Sequence, residues 1–234
     1  MAEYGSTDFW NRRYANVFQR FDWLLTYQFD LKPILHQFLE SNSLILDIGC
    51  GSSRLDEELY DDGFKNISAI DKCPAVIYNM KTVNNLRPEI NWFVMDATEM
   101  TFPSESFDIF IDKATSDAIF CSRGSFINIR KMLLCISRVL RRGGIYIVIS
   151  HRPPDKREKF FSNLQKYGWS FSWETVASKR ANDSLNGILV NLPENFYIYY
   201  MNNNRLNQCA MSVERCSLLK NYRNTPAIFA LKHK

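Results

Sequence analysis

The chain has 234 residues, is 46% hydrophobic and carries a formal net charge of +4, enough for one domain with a full core. No apolar run reaches the ~20 residues of a membrane span, and Met1-Ala2-Glu3-Tyr4-Gly5 lacks the basic start and apolar centre of an export signal. Six cysteines form no CxxC pair and no histidines stand at ligand spacing, so no metal site is expected and reduced thiols in a cytoplasmic protein are.

Charge is uneven: residues 1–150 hold 16 basic and 19 acidic side chains, residues 151–234 hold 13 and 6. The basic C-terminal third reads as a solvated surface, with attraction of an acidic or nucleic-acid partner as the alternative.

Along the chain, runs of strand length alternate with segments of helical period. Residues 29–39 read as a helix with Leu31, Ile34, Leu35 and Phe38 on one face. A strand over 44–48 runs into Gly49-Cys50-Gly51-Ser52-Ser53, where Ser53 caps a helix to about Asp62 and Gly63 ends it. The second strand is 67–70, and Pro74 opens a helix to about Leu86. Strands at 92–95 and 107–111 follow. A helix from Ser125 to Arg141 is expected to stop at Gly143-Gly144, before a strand at 145–150 that is apolar on both faces. A helix near 155–166 precedes two strands, 169–176 and 195–201, with a long polar connection at 178–193 and no helix between them. The pattern predicts an α/β, Rossmann-like sheet of seven strands, mostly parallel, helices on both faces, with an antiparallel hairpin at its edge.

The glycine turn after the first strand lets a ligand approach the backbone. Twenty residues beyond Gly51, Asp71 ends the second strand, where a carboxylate can hold the two hydroxyls of a ribose. Asp96, with the Ala97 amide, ends the third and can read an adenine. Asp47 can accept from turn amides or draw an ammonium. Any one of these could merely cap a turn; their joint spacing carries the reading. Arg54 stands where a nicotinamide site would place its third glycine, so S-adenosyl-L-methionine, with S-adenosyl-L-homocysteine as product, is the expected cofactor.

Asp8-Phe9-Trp10-Asn11-Arg12-Arg13-Tyr14, Phe21-Asp22-Trp23, the glycine turn, and Phe107-Asp108-Ile109-Phe110-Ile111-Asp112-Lys113-Ala114-Thr115-Ser116-Asp117-Ala118 follow one order. In these, residues 5–175 resemble the class I (seven-β-strand) methyltransferases that modify lysines of translation elongation factor 1-alpha, including the one fused to endothelin-converting enzyme 2. The resemblance implies cofactor contacts at Trp10, Tyr14, Trp23, Gly49, Gly51, Asp71, Lys72, Asp96, Ala97 and Lys113. It departs at Ser52 and Ala114, where that group has Asn and Gly; Ser52 can still donate to the cofactor or cap the helix. An aromatic lid over 1–40 (Trp10, Tyr14, Trp23, Tyr27), a methyltransferase domain over 41–202 and an extension over 203–234 are expected.

An amine must attack as its neutral form, which costs a lysine about 4.6 kcal/mol at pH 7; an apolar, aromatic pocket lowers that cost. Asp112 and Asp117, flanking the loop after the fourth strand, are the candidate proton acceptors. The Asn/Asp-Pro-Pro-Tyr/Phe motif that grips planar amide-type nitrogens is absent there, which favours an aliphatic amine. The reading is therefore protein-lysine methylation, with elongation factor 1-alpha as the implied partner and neither membrane nor nucleic acid. The alternatives are a small-molecule or protein N-terminal methyltransferase, and a scaffold that binds the cofactor without turnover.

Overall fold

The computed structural model describes residues 3–16, 19–157, 168–177 and 195–203. Its centre is a set of short β-branched runs that hydrophobic side chains cover from both faces. Strands β1 (Ile45–Ile48), β2 (Ile67–Asp71), β3 (Asn91–Val94), β4 (Phe107–Lys113), β5 (Leu140–Ser150), β6 (Trp169–Ala177) and β7 (Asn195–Asn203) form one sheet in the order β3-β2-β1-β4-β5-β7-β6. The first five run parallel; β7 pairs antiparallel with both β5 and β6, which makes the expected edge hairpin.

The pleat sends alternate residues to opposite cores. Leu46, Ile48, Phe110, Tyr146 and Val148 pack with Ile129, Met132, Leu133 and Ile136 of helix α6 (Ser125–Val139). That spacing puts the four helix residues on one stripe, and Ile127 and Leu134 on the opposite face are exposed. Ile45, Ile109, Ile111, Ile147 and Ile149 pack the other way, against Leu25, Tyr27, Leu31 and Leu35 and against Leu55 and Leu59 of helix α3 (Leu55–Asp61). Each such side chain, fully buried, contributes about 1.5–3 kcal/mol. Helices α1 (Thr7–Asn16) and α4 (Pro74–Val83) meet over the turn after β1, with Tyr14 against Val76, Ile77 and Met80.

Three local expectations are corrected. The helix expected at 29–39 begins earlier, as a π-helical turn over Tyr27–Leu31, and runs on into a short helix α2 (Lys32–Leu35). The stop expected at Gly143-Gly144 falls inside β5: α6 ends at Val139 and the strand begins at Leu140. Leu140 is already extended (φ −75°, ψ 132°) and pairs with Phe107, and the Asn203 amide donates to the Leu140 and Arg141 carbonyls, each at 3.2 Å. The sheet therefore claims this segment before the helix can use it. Finally, the loop expected after β4 is a single left-handed residue, Ala114 (φ 72°), followed by helix α5 (Thr115–Phe120). The predicted helix at 155–166 (past Arg157), the connection at 178–193 and the extension beyond 203 lie outside the described residues.

Candidate functional site

The chain winds outward from β1 to β3 and then returns to β4, so the connections that leave the carboxyl ends of the paired strands β1 and β4 run in opposite directions and leave a crevice there. A cavity of about 430 Å³ opens there, within the usual range for small-molecule sites. Trp10, Tyr14, Trp23, Gly49, Gly51, Asp71, Lys72, Asp96, Ala97 and Lys113 all line it, as do Asp47 and Asp117. Asp112 does not. Its carboxylate is wholly buried and accepts the Thr115 and Ser116 amides and the Tyr146 hydroxyl, so it caps α5. Burial raises its proton affinity, these donors pulling it back. It belongs to β4 and Asp117 to α5, so the two flank Ala114, the one residue that remains of the expected loop.

The glycine turn is left-handed at Gly49 (φ +71°) and Gly51 (φ +54°). Protein atoms also occupy the space that the missing side chains leave. A Cβ on Gly49 would stand 2.1 Å from Thr115 Oγ1, and one on Gly51 2.8 Å from the Tyr14 hydroxyl. Thr115 Oγ1 donates to the Ile48 carbonyl at 2.7 Å, so the turn serves to dock α5 and α1 as well as to bare its backbone. Asp71 accepts the Gly51 amide at 3.1 Å and the Cys73 amide at 2.8 Å, one on each oxygen. A carboxylate has about four acceptor positions, so two remain for a ligand. Burial raises Asp71 above the usual carboxylate range, with those amides pulling it back. Asp96 is exposed at the rim and accepts the Thr98 amide at 2.7 Å.

Behind the turn, Asp47 and Asp56 are buried together, 2% and 0% exposed. Among the described residues no hydrogen-bond donor reaches either Asp56 oxygen, and the charge of Asp56 adds to what raises the neighbouring Asp47 carboxyl. Burial is the main cause that lifts both, Asp56 to about 7.

The segment before β1 crosses the cavity as a strap. Gly5 lies against the backbone of Cys121-Ser122, where a Cβ would come within 2.3 Å. Trp10 stacks on Tyr14 at 5.9 Å and meets Trp23 edge-on at 6.0 Å, and its indole N–H donates to the Tyr4 carbonyl at 2.7 Å. Further on, the strap is tied to the core. Arg20 donates to the Ser52 and Ser53 carbonyls and pairs with Glu57 at 2.8 Å. The Asp22 carboxylate accepts from Ser53 Oγ at 2.5 Å and from the Arg54 amide. Ser52, expected to serve the cofactor or cap the helix, donates to the Gln19 carbonyl instead. The cap position of α3 falls on Arg54, without a side-chain cap bond, and not on Ser53 as expected; from one residue earlier, Ser53 Oγ accepts the Leu55 amide at 3.1 Å. Tyr27 is no part of the aromatic cluster: its hydroxyl donates to Asp62, just past the end of α3.

Lys113 is buried and its ammonium meets Asp22 at 3.3 Å and the Trp23 carbonyl at 3.2 Å. Burial would raise the Asp22 carboxyl, but Lys113, Ser53 and Arg54 together hold it below its ordinary range. Sequence reasoning missed Tyr4, Gly5, Ser122, Asn128 and His151, which also line the cavity. Only His151 had a usable signal: it directly follows the apolar run of β5, so it too sits at a strand's carboxyl end.

The sheet order, the glycine turn and the crevice define a class I methyltransferase fold, and residues 46–148 match the family described as a methyltransferase domain. Over those residues the chain carries that methyltransferase domain on a class I methyltransferase fold. Within that class it is similar to the eEF1A lysine and N-terminal methyltransferase of Homo sapiens, 34% identical over 182 residues, 76% of this chain and 26% of the relative. It is likewise similar to the Drosophila melanogaster homolog of that protein, at 37% over 155 residues, 63% of this chain and 22% of the relative. To the EEF1A lysine methyltransferase 4 of Mus musculus it is 28% identical, covering 75% of this chain and 72% of that one. The chain spans about a quarter of the first of these relatives. Among solved structures, a SAM-dependent methyltransferase from Methanosarcina mazei overlays 75% of this chain and all of its own at TM-score 0.56 and 19% identity. The N-methyltransferase NodS of Bradyrhizobium japonicum, in complex with S-adenosyl-L-homocysteine, overlays 74% of this chain and 85% of its own at the same TM-score and 18% identity. No helix among the described residues is long and apolar enough to cross a membrane.

Proposed function

We propose that this chain binds S-adenosylmethionine in the β1–β4 crevice and methylates an amine on a protein, a lysine of elongation factor 1-alpha being the first acceptor to test. The observation that carries the reading is Asp71, held by two backbone amides at a strand end and left with acceptor capacity toward the cavity. On this reading Asp71 and Lys72 hold the ribose, Asp96 and Ala97 the adenine, and Gly49 and Gly51 the amino-acid end. When bound, the cofactor supplies a methyl group on a positively charged sulfur. The chain's own part is to position and desolvate. Tyr4, Trp10 and Trp23 offer aromatic surface to cations, worth about 0.5–2 kcal/mol each, and their apolar bulk favours the neutral amine. Lys113, by securing Asp22, keeps that surface in place. Residues 1–40 then act as a lid on the domain that follows, and the protein works in the cytoplasm.

A protein's N-terminal amine is the second acceptor, because the names of several relatives include that activity. Labelled S-adenosylmethionine, the purified chain and elongation factor 1-alpha decide between them. Label on a lysine-containing internal peptide supports the first acceptor, label on the N-terminal peptide the second, and no labelled protein with intact cofactor binding refutes both.

A further inference from the structure

At the end of the cavity opposite Asp96, helix α5 and the end of β5 bring Asp117 and His151 together. His151 Nδ1 lies 2.6 Å from Asp117 Oδ2, and both side chains line the cavity. The Asp117 carboxylate is 7% exposed and fully engaged: it accepts the Ser150 hydroxyl at 2.7 Å and the His151 amide at 3.2 Å, and it pairs with the buried Arg157. With those donors and the Arg157 cation on its oxygens the carboxylate is an acceptor, so the shared contact with His151 is an Nδ1–H donated to it. That fixes the tautomer and leaves the lone pair on Nε2. The ring is 39% exposed, against 6% for its partner. A buried carboxylate that orients a cavity-lining imidazole is the arrangement of a general base and its positioning group.

We propose that His151 takes the proton from the acceptor amine and that Asp117 is its positioning residue; this rests on the methyl-transfer reading above. The step is a proton transfer alone. One N–H bond of the acceptor ammonium breaks, its electron pair stays on nitrogen as the attacking lone pair, and the proton bonds to Nε2. The imidazolium then returns that proton to water. The groups facing the ring are Asp117 from α5, Arg152 beside it in sequence, and Arg157 through Asp117. Burial first and Arg152 second hold the imidazole below its ordinary value, so it is neutral and able to accept at pH 7. Burial likewise brings the Arg157 guanidinium down to about 10, which leaves it charged.

The test uses the full chain with His151→Gln, His151→Ala and Asp117→Asn. Long-range proton–nitrogen spectra of the three histidines, recorded without cofactor, should show His151 as the Nδ1–H tautomer, and Asp117→Asn should scramble it. With a labelled acceptor, His151→Gln should lower kcat about 100-fold. Its KM and cofactor affinity should stay within threefold, and the acid limb below pH 6.5 should disappear. Added imidazole should restore His151→Ala at least tenfold. Because Asp117→Asn endangers folding, the kinetic test rests on the His151 variants. An active wild type with an indifferent His151→Gln, or an Nε2–H tautomer, overturns the base alone. A wild type that binds cofactor yet methylates no amine overturns the transfer reading, and the base with it.

Discussion

The side built from Gly49, Asp71 and Asp96 and the side built from Lys113, Asp117 and His151, with Asp22 paired to Lys113 behind it, line one cavity, and they hold their charges in opposite ways. On the first, Asp71 and Asp96 rest on backbone amides, and among the described residues neither forms an ion pair. On the second, each of the two carboxylates is matched by a cation, Asp22 by Lys113 and Asp117 by Arg157, and the neutral His151 ring shares the Asp117 carboxylate. Acceptor capacity is thus reserved on one side and consumed on the other. A carboxylate near a ligand is therefore a ligand contact only if the protein has not already committed it.

The largest expected effect breaks the committed side. Lys113→Ala leaves Asp22 buried without its cation and should destabilise the fold by about 3–5 kcal/mol, read as a fall in the denaturant midpoint; a loss under 1 kcal/mol would mean the pair holds nothing together. Next, Asp71→Ala removes the reserved acceptor while the fold stays intact. Calorimetric affinity for S-adenosylmethionine should drop about 100-fold, the value of two hydrogen bonds to a charged group, and unchanged affinity would remove Asp71 from the site.

A third substitution sharpens the contrast through pH. Asp56, lifted to about 7 mainly by burial, keeps a proton in the folded chain that the unfolded chain releases above pH 4. Its contribution to stability is full below pH 4 and declines as pH climbs from about 4 to about 7. Asp56→Asn cannot ionise, so its advantage in stability over the wild type should be about 2 kcal/mol greater at pH 8 than at pH 5, read from denaturant titrations at the two values. A difference that does not vary with pH would show that Asp56 is ionised throughout. The smallest effect belongs to Ala114, whose left-handed backbone (φ 72°) strains any residue with a Cβ. Ala114→Gly should stabilise by no more than about 1 kcal/mol, a shift of a few degrees in melting temperature; a loss of stability would mean that its methyl packs usefully.

The two sides also differ in how far the sequence reveals them. Asp71 and Asp96 announce themselves because each ends its own apolar run, and that pattern is local. The parallel order and the edge hairpin are legible for the same reason. The Lys113–Asp22 pair leaves no local trace, because the two residues lie 91 positions apart. Nothing in Gly5 or Tyr4 foretells that the chain's start lies against Ser122. Helix α5 is hidden because its cap, Asp112, reads as the last polar residue of a strand rather than the first of a helix. The π-helical turn at Tyr27–Leu31 leaves no periodic trace, since five residues are too few to show one.

The sheet also constrains how the protein is made. β7 is inserted between β5 and β6, so a strand translated late occupies an interior place. While the ribosome is still producing residues up to 203, the backbone edge of β5 that faces away from β4 has no partner, and an unpaired edge of that kind invites pairing with other nascent chains. The imidazole at the tip of β5 reaches its final position only when that edge closes. The crevice is then complete only once residues up to 203 have emerged.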